Sequence, residues 1–215
     1  MRTLAVAGLA ALALSLMGAL APPIDSLSHF RWHIVLGVLA LAALCALRRR
    51  LRLALALAIP AIAAGVSILP YVWPNAPERS VGATTLLQMN LLYQSDLASA
   101  RAAVLSTAPD VVTMQEVTDA HWREIDSWPF AHKIRCHSAD TGISTAILST
   151  LPLAGDPLPC APLNRMTAVR LAFDSGPVWV VAVHASWPWP RSQWRDLPAQ
   201  EPFLSPLTGP VVIAG

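Results

Sequence analysis

Residues 109–116 read PDVVTMQE, an apolar run that follows a proline and closes on a glutamate. Proline ends a preceding helix, because it lacks a backbone N–H and disfavours helical geometry at the residue before it. Residues 111–115 are rich in apolar and β-branched side chains, which is typical of a buried strand. The stretch therefore predicts a strand over 111–115, with the carboxylate of Glu116 at its end.

Apolar runs of strand length alternate with polar stretches on both sides of this strand. Helical spacing occurs over residues 95–106 and 118–126, where Ser95 and Thr118 are suitable N-caps. Strands that are interleaved with helices predict an α/β or α+β domain over residues 84–215. The other expected strands cover residues 84–92, 131–136, 144–149, 166–173, 178–184 and 211–214.

Three polar side chains lie at the ends of apolar strands, namely those of Asn90, Glu116 and His184. Because strand ends can meet at one rim of a sheet, we expect the three side chains to converge. Glu116 supplies a hard carboxylate oxygen, which suits Mg²⁺ or Mn²⁺. His184 can donate a hydrogen bond to a phosphoryl oxygen. Taken singly, a strand-end histidine is more often structural and a strand-end glutamate more often solvated.

Five short elements follow one another in order between residues 84 and 215. They are QMN at 88–90, PDVVTMQE at 109–116, GISTAILS at 142–149, VAVH at 181–184 and PVVIAG at 210–215. In order and spacing these elements resemble those of the endonuclease/exonuclease/phosphatase superfamily, which has the deoxyribonuclease-I-like fold. The resemblance is greatest to bacterial members with an N-terminal multi-span anchor, in which a Trp/Pro-rich stretch, here WPWP at 187–190, follows the histidine.

This resemblance implies a divalent-metal-dependent phosphoesterase or phosphodiesterase built as a sandwich of two sheets. Glu116 would be the metal ligand, and Asn90 would help to hold the metal and to orient the phosphate. His184 would stabilise the scissile phosphoryl group or transfer a proton there, so Asn90 and His184 are the expected catalytic residues. The cofactor would be Mg²⁺ (or Mn²⁺). The substrate would be a phosphate ester in a nucleic acid, a nucleotide or a phospholipid headgroup, and no dedicated protein partner is inferred.

The sequence stops at Gly215, before two further elements of the superfamily. In the superfamily the Asp of a G-D-F-N element orients the attacking water, and a terminal S-D-H element supports the catalytic histidine. We therefore expect an incomplete sandwich, in a fragment or C-terminally truncated product with little or no activity of its own. The alternative function is a non-catalytic, truncated or degenerate membrane protein with an interaction role. Translation of the DNA beyond the codon for Gly215 distinguishes the two.

The charge is unevenly distributed along the chain, which has a net charge of +2 and only 13% charged residues. Residues 1–73 carry six Arg against one Asp, whereas residues 74–215 carry nine basic against twelve acidic side chains. A protein that binds duplex DNA by neutralising phosphates needs a basic stripe on its folded domain. The acidic balance of residues 74–215 argues against such a protein.

Three uncharged stretches in residues 1–73 predict a transmembrane region, with spans at about 3–21, 32–47 and 53–73. The arginines at 48–52 lie between the second and third spans and are expected to stay inside the cytoplasm. The chain would then be a multi-pass protein of the inner (plasma) membrane with its domain on the extracytoplasmic side, after a linker at 74–83. Two alternatives remain, a cleaved signal peptide in place of the first span and a buried helical core in place of all three.

Several further features allow two interpretations. Cys136 and Cys160 are expected to form a disulfide in an extracytoplasmic domain, and the alternative is two separate buried thiols. Trp187 and Trp189 would either line the rim of a substrate site or pack their proline-stiffened loop against the domain or the membrane surface. Arg165 and Arg170 would either face a phosphate or simply alternate along a strand.

Overall fold

The computed structural model describes residues 1–73, 82–93, 96–137, 143–158, 160–161, 165–191 and 193–215. Contacts divide the chain into two compact units. Unit 1 comprises residues 1–78 and 186–194, and unit 2 comprises residues 79–185 and 195–215. Most of the expected linker at 74–83, together with the expected cap Ser95 and Gly142, lies outside the described residues.

Within its described residues, unit 1 forms α1 (Arg2–Ser15), α2 (Pro22–His29), α3 (Arg31–Leu47), α4 (Leu51–Val66) and α5 (Leu69–Val72). The expected span at 3–21 is divided, because a 3-10 turn follows α1 and the prolines that begin α2 start a new helix. The expected span at 53–73 is divided as well, since α4 ends at Val66 and Pro70 lies in the first turn of α5. Only the expected span at 32–47 coincides with one helix, α3.

A helix that crosses a membrane must be both long and apolar. Across the described residues, no single helix combines the length and the hydropathy that a crossing requires. The consecutive helices α2 and α3 meet the requirement together, with a bend of 68° between them. Pro60 lies inside α4 without ending it, although a proline at such a position removes one helical hydrogen bond.

Helices α1, α3 and α4 of unit 1 are apolar on their outer as well as their packed faces. Val35, Cys45, Leu57 and Ala61 are buried in one cluster formed by α1, α3 and α4. A helix that is apolar all round normally lies within a protein core or a bilayer. Large apolar side chains are nevertheless exposed along the same helices, at Leu4, Val6, Leu36, Leu51, Leu55, Ile59, Ile62 and Val66.

The described residues of unit 2 form two β-sheets. The first has β1 (Leu86–Asn90), β2 (Val111–Val117), β3 (His132–Cys136) and β4 (Ser144–Ser149) in the order β1-β2-β4-β3. The second has β5 (Met166–Phe173), β6 (Gly176–Val183) and β7 (Val211–Ala214) in that order. The β1–β2 and β6–β7 pairs are parallel, and the other pairs are antiparallel. Each expected strand is present, with the same bounds at β4, β5 and β7 and with shifts of one to two residues elsewhere.

The α-helices formed by the described residues of unit 2 are α6 (Ala98–Thr107), α7 (Asp119–Ile125) and α9 (Glu201–Leu204). The sequence boundary between the units, at 194/195, falls within α8 (Gln193–Asp196). The predicted N-cap at Thr118 is confirmed, because its hydroxyl accepts a hydrogen bond from the His121 N–H at 3.1 Å. A second bond runs from the Thr118 N–H to the imidazole of His121 at 3.4 Å. The two bonds together close a capping box at the start of α7.

The first sheet is covered on both faces, which explains why β2 and β4 are almost entirely buried. Val112, Met114 and Leu148 pack against α6 and α7 in one apolar cluster. Val111 and Ile147 point the opposite way and pack against β5 and β6 of the second sheet. A hydrogen bond of 2.7 Å between the buried hydroxyls of Thr145 and Thr167 also joins the sheets. The expected two-sheet α/β sandwich is therefore confirmed.

A disulfide between Cys136 and Cys160 is present, as expected, and it joins the end of β3 to a residue 24 positions later. Closing a loop of this length stabilises a folded domain by about 3 kcal/mol, chiefly by restricting the unfolded chain. We expect dithiothreitol to lower the denaturant midpoint of unfolding of unit 2, monitored by tryptophan fluorescence. Cys45→Ala should keep this response and a Cys136→Ser/Cys160→Ser variant should lose it, whereas an unresponsive parent protein would contradict the prediction.

Candidate active site

Glu116 lies in a β-bulge of strand β2. The pairing of β2 with β4 matches Met114 to Ala146 and next matches Val117 to Ser144, so two residues of β2 oppose Thr145 alone. Glu116 has a φ of +58°, a left-handed backbone conformation that residues other than glycine seldom adopt. Bulges redirect a side chain at a sheet edge, and such strained residues are concentrated at functional sites. The bulge thus turns Glu116 out of the alternating pattern of its strand.

The carboxylate of Glu116 is held from three directions. Asn90 donates a hydrogen bond from Nδ2 to Oε1 at 3.0 Å, and the backbone N–H of Tyr93 donates to Oε2 at 3.1 Å. Nε2 of His184 lies 3.4 Å from Oε1. The structure therefore brings together all three residues that the sequence predicts for the site. Their expected roles as metal ligand and catalytic residues stay predictions.

Asn90 is itself fixed by the loop that follows β1. Its amide oxygen accepts a hydrogen bond of 2.9 Å from the backbone N–H of Leu92, which leaves the amide nitrogen directed at Glu116. Leu92 also has a left-handed backbone, with a φ of +47°. This turn brings the next N–H, that of Tyr93, onto the same carboxylate. The backbone contact of Tyr93 could not be predicted from the sequence, because any residue type supplies an N–H.

His184 follows β6 and lies beside the residue that precedes β5. Its backbone N–H donates to the carbonyl of Arg165 at 2.8 Å, and the strands pair Met166 with Val183. Residues opposite each other in antiparallel strands carry side chains on the same face, so Arg165 and His184 are neighbours there. The guanidinium of Arg165 lies 3.8 Å from the carboxylate of Asp196, a distance too long for a strong hydrogen bond. A cationic side chain therefore flanks the imidazole.

Solvent reaches the imidazole and the carboxylate only in part. The side chains of His184 and Glu116 are 28% and 16% exposed. Burial lowers the pKa of the His184 imidazole below 6.5, because the charged form loses water. The negative charge of Glu116 and its hydrogen bond raise that pKa, whereas the positive charge of Arg165 lowers it. The effect of burial is the largest, so the surroundings of His184 favour the neutral imidazole.

An NMR titration of His184 in the metal-free protein should have a midpoint below pH 6.5. Replacing Glu116 by Gln should lower the midpoint further, since the carboxylate favours the imidazolium ion. Because the folded state binds this proton less readily than the unfolded state, the contribution of His184 to stability should decrease as the pH falls below about 6.5. A midpoint above 6.5, or an upward shift in the Gln variant, would contradict the arrangement described.

Two glutamines connect the strands next to the site, and Gly215 lies close to the end of β6. Nε2 of Gln88 donates to Oε1 of the buried Gln115 at 2.7 Å, and Nε2 of Gln115 lies 3.5 Å from the carbonyl of Ala214. Gln115 thus connects β1, β2 and β7 immediately before Glu116. Gly215 approaches the end of β6 so closely that an added Cβ would overlap the carbonyl oxygen of Val183. Sequence reasoning missed these contacts, although Gln115 and Gly215 stand in the quoted elements.

The donor set at Glu116 suits a hard divalent cation. Among the residues that the structure describes, no three His, Cys, Asp or Glu side chains come together as a metal cluster. Mg²⁺ needs fewer protein ligands than that, because it is commonly bound through one or two carboxylates while substrate phosphates and water complete its shell. A carboxylate has about four acceptor positions, and the described contacts of Glu116 engage three of them. The residues present therefore fit a cation bound through Glu116.

Solved structures similar to this chain share little sequence with it. A humanized D. rerio TDP2 with 14 mutations has 14% identity and a TM-score of 0.49, over 60% of this chain and 59% of that one. D. rerio TDP2 complexed with a single-strand DNA product has 15% identity and a TM-score of 0.49, over 60% and 58%. A family protein from Leptotrichia buccalis has 12% identity and a TM-score of 0.46, over 61% and 66%. The matched region spans less than three fifths of the two TDP2 chains.

Comparison of the sequence with known protein families assigns a family to the chain. A search of curated protein sequences found no match. Residues 87–215 match the Endonuclease/Exonuclease/phosphatase family over a region that includes Asn90, Glu116 and His184. This region is more than half of the chain and contains every strand of the two-sheet sandwich apart from the first residue of β1. The chain therefore belongs to the Endonuclease/Exonuclease/phosphatase family.

Proposed function

We propose that the protein is a divalent-metal-dependent phosphoesterase or phosphodiesterase. The observation that carries this proposal is the convergence of Asn90 and His184 on the carboxylate of Glu116. Nδ2 of Asn90 and Nε2 of His184 lie 3.0 and 3.4 Å from its Oε1. A structural role for these residues would not require the strained backbone of Glu116. Membership of the family supports hydrolysis of phosphate esters, and the finer assignments below rest on the geometry of the site.

Glu116 would hold the cation, and Asn90 would position Glu116. When bound, Mg²⁺ or Mn²⁺ would neutralise charge that develops on the oxygens of the scissile phosphate. Asn90 keeps its amide nitrogen on the carboxylate because Leu92 occupies its amide oxygen. The N–H of Tyr93 fixes the second carboxylate oxygen. This support lets a single carboxylate present a defined direction to the metal, which a freely rotating side chain could not do.

His184 would act on the phosphate itself. A neutral imidazole carries one N–H, and Nε2 faces the carboxylate of Glu116 at 3.4 Å, which is a long contact for a hydrogen bond. A phosphoryl oxygen close to Glu116 would offer this N–H a better acceptor, so the imidazole would stabilise charge on that oxygen in the transition state. Arg165 adds positive charge beside the imidazole, which lowers its pKa and favours the neutral form.

The charge of the domain favours some phosphate esters over others. Residues 74–215 carry nine basic and twelve acidic side chains. A tight duplex-DNA binder neutralises many phosphates with Lys and Arg, and this balance offers few of them. We infer that a nucleotide, a single-stranded end or a phospholipid headgroup fits the site better than duplex DNA. Among similar structures, D. rerio TDP2 is described in complex with a single-strand DNA product.

Hydrolysis of bis-p-nitrophenyl phosphate tests the proposed activity. The assay should use the protein expressed from the complete reading frame that contains residues 1–215, reconstituted in lipid or detergent. We expect release of p-nitrophenolate with Mg²⁺ or Mn²⁺, loss of release after EDTA, and recovery when the metal is restored. Release that persists unchanged after EDTA would overturn the metal-dependent mechanism.

We also propose that unit 1 lies in the plasma membrane, with unit 2 on the extracytoplasmic side. The support is the apolar outer surface of α1, α3 and α4, on which Leu55 and Ile59 are 60% and 66% exposed. In water such a surface would be a strong liability to aggregation. Arg48, Arg49 and Arg50 follow α3 and would mark the cytoplasmic end of that helix. The disulfide of unit 2 agrees with an oxidising compartment.

A further inference from the structure

The described residues 186–191 and 193–194 belong to the same compact unit as the N-terminal helices, although they follow strand β6 by only a few positions. A single side chain fixes part of this segment. The hydroxyl of Ser26 in α2 donates to the carbonyl of Trp189 at 2.9 Å and accepts from the N–H of the same residue at 2.8 Å. Ser26 is buried, so both backbone groups of Trp189 are satisfied away from water. The segment is thus attached to α2 by its backbone, which leaves the indoles available for other contacts.

The indole of Trp187 contacts rings of the N-terminal helices. The indole of Trp187 stacks on the ring of Phe30, with centroids 6.1 Å apart and an interplanar angle of 11°. It also meets the edge of His29, with centroids 5.2 Å apart. Trp187 and Trp189 are nevertheless 51% and 57% exposed. We call Phe30, Trp32, Trp187 and Trp189 the aromatic collar.

The position of the aromatic collar along α3 suggests what covers it. Phe30 and Trp32 lie at the N-terminal end of α3, and Arg48 follows its C-terminal end 16 residues after Trp32. A helix of 17 residues is about 25 Å long. Its N-terminal end carries Phe30 and Trp32 beside Arg31, whose guanidinium donates to the carbonyl of Ser15, and three arginines follow its C-terminal end. Tryptophan is enriched at the level of lipid headgroups, and arginine at the cytoplasmic end of a span. α3 alone is shorter than a crossing requires, and this order of side chains is that of a helix whose N-terminal end lies at the extracytoplasmic headgroups.

Helix α2 adds a second observation in favour of a lipid interface. It is bent by 68° from α3, and it carries Asp25, Ser26, Ser28 and His29 within eight residues. A polar helix at a steep angle to a spanning helix would lie near the plane of the headgroups. Ser26, which fixes the segment at 186–194, belongs to this helix.

We propose that the aromatic collar inserts into the headgroup region of the bilayer on the extracytoplasmic side. Residues 187–189 would then contact the membrane, although they lie far from the N-terminal helices in the sequence. Indole rings suit this layer because they combine a large apolar surface with one N–H donor. This inference rests on the proposed location of unit 1 in the membrane and does not depend on the proposed catalytic activity.

Quenching by brominated lipids tests this contact. The protein is reconstituted in phosphatidylcholine vesicles that carry bromine at a shallow or a deep acyl position, and tryptophan emission is recorded. Of the eight tryptophans, Trp32, Trp73, Trp187 and Trp189 are expected at the interface. Replacing Trp187 and Trp189 by Phe should therefore remove about half of the emission that shallow bromine quenches. Trp122→Phe, in α7 of unit 2, is the matched control and should remove none of it.

A second pair of variants leaves every tryptophan in place. Ser26→Ala removes both bonds to Trp189 and should decrease shallow quenching. Ser28→Ala, whose hydroxyl bonds to the carbonyl of Asp25 within the same helix, should leave it unchanged. Equal quenching in the parent protein and the Trp187→Phe/Trp189→Phe variant would overturn the inference, provided that sodium carbonate leaves the parent protein in the membrane pellet. Extraction of the parent protein by carbonate would instead overturn the proposed membrane location, and hydrolysis of bis-p-nitrophenyl phosphate would be unaffected by either result.

Discussion

Hydrolysis of bis-p-nitrophenyl phosphate is expected to fall by about a thousandfold when Glu116 is replaced by Gln. The amide has the same shape as the carboxylate and can still accept a hydrogen bond from the Tyr93 N–H. It loses the negative charge that would hold the cation, and its own NH₂ group would oppose the donors on Asn90 and His184. The loss should therefore appear as a higher Mg²⁺ concentration for half-maximal activity together with a lower kcat at saturating Mg²⁺.

His184→Ala should lower the same activity by about a hundredfold to ten-thousandfold, because the N–H that faces the phosphate is removed. Two exposed residues of unit 2 provide matched controls. Glu124→Gln in α7 removes the same charge as Glu116→Gln, and His137→Ala removes an imidazole that is 48% exposed beside Asp119. Both controls should retain activity close to that of the parent protein. Full turnover in the Glu116 and His184 variants would refute the assignment of the site.

Replacing Ile59 by Arg should remove most of the protein from the membrane pellet that resists sodium carbonate. Ile59 lies on the outer face of α4 and is 66% exposed. On a surface in contact with water, this change would alter stability by less than about 0.5 kcal/mol. In the centre of a bilayer an Arg costs about 2.5–3.5 kcal/mol, which corresponds to roughly a hundredfold shift of the insertion equilibrium.

Leu105→Arg is the matched control for Ile59→Arg. Leu105 lies in α6 of unit 2 and is 62% exposed. The two substitutions therefore replace apolar side chains of nearly equal exposure. The Leu105 variant should fractionate as the parent protein does. If both variants remained in the pellet to the same extent as the parent protein, the outer face of α4 would not contact lipid and unit 1 would need another explanation.

The sandwich was predictable from the sequence because its strands obey local rules. Residues 144–149 and 166–173 are apolar runs with polar boundaries, and the structure places strands at those bounds. Residues 3–21 form an equally apolar run, and yet α1 ends at Ser15. Hydropathy describes the composition of a stretch and not the position at which a helix ends. Here the 3-10 turn at Gly18–Leu20 and the prolines at 22–23 determine that position.

The sequence was sufficient to predict which residues form the candidate site. It was not sufficient to predict how those residues are arranged. Asn90, Glu116 and His184 could be identified because each polar side chain closes an apolar strand. The bulge at Glu116 could not, since it depends on a pairing with Thr145 and Ser144 that lies almost thirty positions away. The bond from Ser26 to Trp189 spans 163 positions. Contacts between residues so distant leave no pattern in a single sequence.

Anomalous diffraction from crystals of the protein soaked in MnCl₂ tests the central claim most directly, because it locates the cation without relying on activity. We predict one strong peak within coordination distance of a Glu116 carboxylate oxygen in unit 2. The peak should be absent from crystals of Glu116→Gln prepared in the same way. Mn²⁺ bound elsewhere in unit 2, or an unchanged peak in the Gln variant, would show that the carboxylate at the bulge does not hold the metal.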